Sequence, residues 1–136
     1  MRVQEFNLKE KESLRLWIKN NKGTDFISND TVRKIFLLKD IDIIIGYIAF
    51  NVVSPEAEVL YLLIDEGYRN KGLGYRLLNE TLNILKDNGV SKCFLEVDTD
   101  NLYAYKLYKK LDFKEISRRI KYYDNGHDSI VMEKEL

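Results

Sequence analysis

The most constraining feature of the sequence is the stretch between residues 59 and 98. It opens on an apolar run, Val59-Leu60-Tyr61-Leu62-Leu63-Ile64. A run with no polar alternation reads as a central strand buried on both faces. Asp65-Glu66-Gly67-Tyr68 then leads to Gly72-Leu73-Gly74 and to a helical pattern that ends near Asn88. At 100° per residue, Leu73, Leu77, Leu78, Thr81, Leu82, Ile84 and Leu85 fill one half of the helical wheel. Arg76, Asn79, Glu80, Asn83, Lys86 and Asp87 fill the other. Gly89 stands where a left-handed residue closes a helix, and Cys93 to Asp98 reads as the next strand. Strand, helix, strand is a βαβ unit, with parallel strands and a right-handed crossover.

The flanks extend this unit. Residues 2 to 7 predict a short strand, and residues 8 to 20 a helix with Leu14, Trp17 and Ile18 on its apolar face. Ser28-Asn29-Asp30-Thr31 offers a helix N-cap, with room for only a turn or two before strand-like Lys34 to Leu38. Ile43 to Val53 predicts a strand antiparallel to that one. A second helix follows Asn101, with Ala104, Leu107, Tyr108 and Leu111 on one face. Phe113 to Tyr123 and Asp128 to Lys134 read as strands joined by a hairpin turn, Asp124-Asn125-Gly126-His127. The chain has one proline, no Ser/Gly-rich linker and no repeat, so residues 1–136 are expected to form a single mixed α/β domain. Its sheet should be antiparallel at both ends, with one parallel pair in the middle.

Charge excludes some functions. Lys+Arg and Asp+Glu both number 22, so nothing favours bulk binding of nucleic acid or a membrane surface. The one cysteine, Cys93, cannot pair internally. No apolar stretch approaches a membrane span, and the first residues carry no apolar signal region. A cytoplasmic location is the expectation. No Cys/His/Asp spacing suggests a metal site.

The segment Arg69-Asn70-Lys71-Gly72-Leu73-Gly74 follows the apolar strand and opens the helix. The first backbone N–H groups of a helix lack internal partners and sit at the positive end of its dipole. Glycines remove the Cβ atoms that would hold a phosphate away. The segment is therefore built like an anion site at the carboxyl edge of a parallel pair. A Walker-type loop is excluded because Tyr75-Arg76 follow the last glycine, and a dinucleotide fingerprint because Leu77 stands at its third glycine. A plain tight turn before a helix is the alternative.

With these residues the chain resembles the GNAT superfamily of N-acetyltransferases, whose loop motif is (Gln/Arg)-x-x-Gly-x-(Gly/Ala). Downstream, Leu95-Glu96-Val97, Asn101, Ala104, Leu107-Tyr108 and Phe113 follow the order of that family's second conserved block. The family pattern ends in Gly-Phe, whereas Asp112-Phe113 stands here, so Asp112 has to take a left-handed geometry. Arg118-Arg119, Tyr122-Tyr123 and Asp128-Ser129-Ile130-Val131-Met132 resemble the ending of the ribosomal-protein N-terminal alanine acetyltransferases, which carry Arg-Arg-x-Tyr-Tyr and then Asp-Ala-x-x-Met. The resemblance is good over residues 56–136 and poor over 1–55. This chain has no proline before Pro55, where that subfamily has a Pro-Trp, and it carries Tyr61 in place of an Asn.

The resemblance implies direct acetyl transfer from acetyl-CoA to an amine acceptor. The acceptor would be a protein N-terminal α-amine, or else a small-molecule amine or lysine side chain. A third reading is a module that binds acyl-CoA without turnover. Such a transfer needs a base for the amine, a donor for the thioester oxygen and a proton for the leaving sulfur. By resemblance, Glu96 is the base and Tyr108 the acid, with neighbouring Tyr105 as its alternative. The backbone at Leu62, Leu63 and Ile64 supplies the oxygen donor. Arg69, Asn70, Lys71, Gly72, Leu73, Gly74 and Tyr75 hold the phosphates, and Asn101 and Tyr108 also touch the cofactor. Asn101 reads as a helix cap in any case, Cys93 as a core residue and His127 as a surface residue. Tyr122-Tyr123 either line an acceptor channel or cover a sheet edge. The chain is expected to be a monomer or homodimer.

Overall fold

The computed structural model describes all 136 residues. Seven strands run as β1 (Arg2–Glu5), β2 (Arg33–Asp40), β3 (Ile43–Val53), β4 (Glu56–Ile64), β5 (Lys92–Asp98), β6 (Lys114–Arg119) and β7 (Ser129–Glu135). Three helices are α1 (Lys11–Asn20), α2 (Leu73–Asp87) and α3 (Leu102–Lys110). The strands form one sheet in the order β1-β2-β3-β4-β5-β7-β6. Only β4 and β5 are parallel, and every other pair is antiparallel. The mixed, mostly antiparallel sheet with a single βαβ pair is the architecture expected from the sequence.

The two faces of the sheet are covered differently. Leu77, Leu78, Leu82 and Leu85 of α2 and Leu107 and Tyr108 of α3 pack on one face, with Ile48, Phe50, Val59, Leu95, Val97 and Met132. On the other face, Leu14 and Ile18 of α1 pack on Ile35, Leu37, Tyr47 and Ala49 of β2 and β3. The rest of that second face carries no helix. Alternation along β5 buries Cys93, Leu95 and Val97 under α2 and α3 and turns Phe94, Glu96 and Asp98 to the helix-free side.

The parallel pair is short. Glu56 to Val59 pairs with Lys92 to Leu95, and there the two strands part. At the same point β4 bulges: Val59 faces Phe50 and Tyr61 faces Ala49, so Leu60 is an extra residue. Beyond it, β4 pairs only with β3, while Glu96 to Asp98 pair only with β7. The run at residues 59–64 does lie at the centre of the sheet, but residues 60–63 are only half-buried, because the sheet opens beside them.

Three local expectations are corrected. No helix follows Ser28. The Ser28 hydroxyl accepts the Asp30 N–H at 3.0 Å and the Asp30 carboxylate accepts the Val32 N–H at 3.1 Å, so these side chains close turns instead. The first turn of the N-terminal helix is a 3-10 turn, Leu8–Glu10, begun by the Asn7 side chain. The strand expected to reach Tyr123 ends at Arg119. Lys121 has φ of 51°, and its N–H is taken by the Asp128 carboxylate at 2.9 Å, so residues 120–128 form a longer connection than a tight hairpin.

Candidate active site

Where β4 and β5 part, a cavity of about 540 Å³ passes through the sheet. Leu62, Leu63, Ile64, Arg69, Asn70, Gly74, Glu96, Asn101 and Tyr108 all line it, as do Tyr123 and Asp98. It adjoins a groove of about 810 Å³ lined by Asn70, Gly72, Tyr75, Tyr103 and the lysines 106, 109 and 110 of α3. Of the loop residues singled out by sequence, Lys71 and Leu73 line neither space. Lys71 places its ammonium 5.5 Å from the Tyr68 ring, and Leu73 is buried in the core.

The backbone of β4 presents donors to the gap. The Asp65 N–H bonds the Ile45 carbonyl at 2.7 Å, which sets the phase of the antiparallel ladder. By alternation, Leu63 and Tyr61 also face β3, whereas the N–H and C=O groups of Leu62 and Ile64 face the gap. The Ile64 carbonyl accepts Nε of Arg69 at 3.1 Å, while the N–H groups of Leu62 and Ile64 both point into the gap as donors.

The start of α2 is uncapped. Gly72 is its N-cap residue, at φ of 75°, and no side chain bonds the first N–H groups. The first helical bond runs from the Arg76 N–H to the Gly72 carbonyl at 3.1 Å, so the N–H groups of Leu73, Gly74 and Tyr75 have no helical partner. A Cβ added at Gly72 would meet nothing within 4 Å, so the approach to these donors is open. Arg69 and Lys71 stand just before these residues in the chain and add positive charge to the loop. This arrangement fits a pyrophosphate.

Glu96 and Tyr108 reach the cavity from opposite faces of the sheet. Tyr108 comes from the α3 side, only 8% exposed, with its ring edge-on to Phe113 at 5.8 Å. Burial pushes its hydroxyl up to about 12, and negative charge on Cys93 or Tyr123 would add to the shift. The hydroxyl therefore holds its proton at neutral pH. Tyr105 is engaged elsewhere: its hydroxyl donates to Glu115 at 2.9 Å, a bond that raises its pKa. Asn101 caps α3, accepting the Ala104 N–H at 3.2 Å.

Glu96 lies on the helix-free side. One of its oxygens accepts the Ser129 hydroxyl at 2.8 Å and the other lies 3.2 Å from an Arg119 guanidinium nitrogen. Asp98, two residues on, accepts Nδ2 of Asn125 at 3.0 Å and the Asp100 N–H at 2.8 Å. These bonds, with His127 Nδ1 at 3.2 Å, hold its carboxyl below the usual range. His127 is thus half-buried against Asp98, not a free surface side chain. Burial raises the Tyr123 hydroxyl. Cys93 is buried in the core, as its strand alternation suggested.

The Acetyltransferase (GNAT) family model matches residues 3–113. The chain belongs to this family. The [ribosomal protein bS18]-alanine N-acetyltransferase of Escherichia coli strain K12 is 37% identical over 84 residues, 60% of this chain and 57% of that enzyme. The match therefore spans little more than half the length of that relative. Spermidine N(1)-acetyltransferase of Thermoplasma acidophilum is 30% identical over 110 residues, 76% of this chain and 68% of its own. The crystal structure of the ribosomal-protein-S18-alanine N-acetyltransferase from Escherichia coli has the same fold, with a TM-score of 0.87 at 23% identity over 98% of this chain and 92% of that one.

The sequence reading missed the partners of Glu96. Arg119 and Ser129 lie beyond the GNAT match, on β6 and β7. The signal that could have found them is register: Ser129 stands opposite both Asp98 and Arg119, hence on their face. A tight turn at residues 124–127 would have given a different register.

Proposed function

We propose that this chain transfers the acetyl group of acetyl-CoA directly to a primary amine. The observation that carries the reading is the gap through the sheet, with Tyr108 on one side, Glu96 on the other and the Leu62 N–H on its wall. Two substrates entering from opposite faces would meet there, held in line. The free N–H groups of Leu73, Gly74 and Tyr75, with Arg69 and Lys71, hold the pyrophosphate. Asn70 and Asn101 flank the cofactor arm, and Lys106, Lys109 and Lys110 face its nucleotide end. Bound acetyl-CoA supplies an activated thioester carbonyl.

Each residue then has a task. Glu96 takes the amine proton, directly or through a water. The Leu62 N–H donates to the carbonyl oxygen as it gains negative charge. Tyr108, still protonated, gives its proton to the departing sulfur.

The acceptor we propose is the α-amine of a protein N-terminus, such as that of a ribosomal protein. The C-terminal motifs and the 37% identity to the Escherichia coli bS18 enzyme support it. A second reading, a polyamine, is favoured by the longer match to the Thermoplasma acidophilum spermidine enzyme.

Purified protein should be mixed with acetyl-CoA and three acceptor pools: peptides with free Ala or Ser N-termini, Nα-blocked lysine peptides, and polyamines. CoA thiol release and product mass are the readouts. Acetyl on the peptide α-amine is expected, and acetyl on spermidine alone selects the second reading. Glu96→Gln and Tyr108→Phe should each lower kcat about 10²-fold with little change in acetyl-CoA affinity. Undiminished turnover in both variants removes those two residues from the chemistry.

A further inference from the structure

We infer that Ser129 is a positioning residue whose buried hydroxyl aims the Glu96 carboxylate into the gap between β4 and β5. The kinetic part of this inference rests on the acetyl-transfer reading above.

Ser129 is the first residue of β7 and is 0% exposed. A buried hydroxyl needs a partner, and this one donates to Glu96 Oε2 at 2.8 Å. The strand registers explain why it reaches. Ser129 pairs with Asp98 on one side and Arg119 on the other, so its side chain shares their face, and Glu96 lies on that face two residues earlier in β5.

A glutamate has three side-chain torsions and needs fixing from more than one side. Arg119 holds Oε1 at 3.2 Å, but its side chain is 54% exposed, so it is a long and solvated tether. Ser129 has one torsion and no exposure, so it is the rigid anchor. A carboxylate has about four lone-pair sites. Two are used by Ser129 and Arg119, and the others remain free toward the cavity that Glu96 lines. The hydroxyl is dispensable for packing, since an alanine at this place would fill nearly the same volume. Glu96 Oε2 would not be stranded without it, because that side chain is 28% exposed and can take up water.

Two measurements on Ser129→Ala test this. In crystals of the unliganded wild type, Glu96 should show one conformer bonded to Ser129. In Ser129→Ala it should turn away from the gap or spread over several conformers. In steady-state assays the variant should lose about tenfold in kcat, the worth of one hydrogen bond to a charged group, with the KM for acetyl-CoA changed less than about twofold. On a Glu96→Gln background the same substitution should cost nothing further, because Ser129 acts through that carboxylate. Full kcat in Ser129→Ala, an equal loss on the Glu96→Gln background, or an unmoved Glu96 in the variant crystal would each overturn the inference. If the wild type acetylates no amine, the functional reading falls, and the crystal comparison alone decides what Ser129 does.

Discussion

Asp112 sits in the left-handed region, at φ of 68°. It follows the last residues of α3, where the Asp112 N–H bonds the Lys109 carbonyl at 3.0 Å and the Phe113 N–H reverses onto the Tyr108 carbonyl at 3.0 Å. That turn brings Phe113 back against the ring of Tyr108. A residue with a Cβ strains there by about 1–2 kcal/mol, less for Asp than for most, while glycine costs about 0.5–1 kcal/mol more chain entropy. Asp112→Gly should therefore stabilise the fold by about 0.5 kcal/mol, read as a higher urea midpoint at unchanged slope. A lower midpoint would mean that the Asp112 side chain makes an interaction worth more than the strain. This strain was legible in the sequence, because a Gly-Phe pattern has Asp-Phe in its place. The role of Ser129 was not, because it depends on pairing across residues 120–128, whose path no local pattern fixes.

At the scale of elements, hydrophobic pattern located every strand and all three helices, but it could not show where two strands separate. The run at residues 59–64 looked buried on both faces, yet the bulge at Leu60 and the departure of β5 open one side of it. Periodicity counts apolar residues and is blind to whether the space beside them is filled by chain or by a ligand. In α3 the same pattern was reliable: Leu107, Tyr108 and Leu111 are buried, and Lys106, Lys109 and Lys110 stay on the outside. Those lysines line the groove that continues from the α2 loop. If they face the nucleotide end of acetyl-CoA, the double variant Lys109→Ala, Lys110→Ala should bind it about three- to tenfold more weakly at low salt. The difference should shrink as salt is added, because exposed charges are screened. Titration calorimetry at two ionic strengths reads both effects, and equal affinities at low salt would place the nucleotide elsewhere.

Across the whole molecule, both faces of the sheet bury acidic protons. Tyr47 lies in the core under α1, where its hydroxyl donates to the Thr24 carbonyl at 2.5 Å, and burial raises it well above the ordinary tyrosine value. Cys93 and Tyr108 lie in the core under α2 and α3, and burial pushes each up to about 12. In the unfolded chain a cysteine loses its proton near pH 8.5 and a tyrosine near pH 10. Between those values and the folded ones, the unfolded state binds fewer protons than the native state, so stability falls as pH rises. The stabilisation is complete below about pH 8.5, begins to fall with Cys93, and declines further from about pH 10 toward 12 as the tyrosines join, by up to about 1.4 kcal/mol per pH unit for each group. Urea unfolding at pH 7, 9.5 and 11 should show this decline. Tyr108→Phe, which has no proton to lose, should fall by about 1 kcal/mol less than the wild type between pH 9.5 and 11. Parallel declines would show that Tyr108 ionises as easily folded as unfolded. Its hydroxyl would then be wet rather than buried, and the same result would weaken its assignment as the proton donor to the sulfur, since both depend on the core of α3 keeping that proton in place.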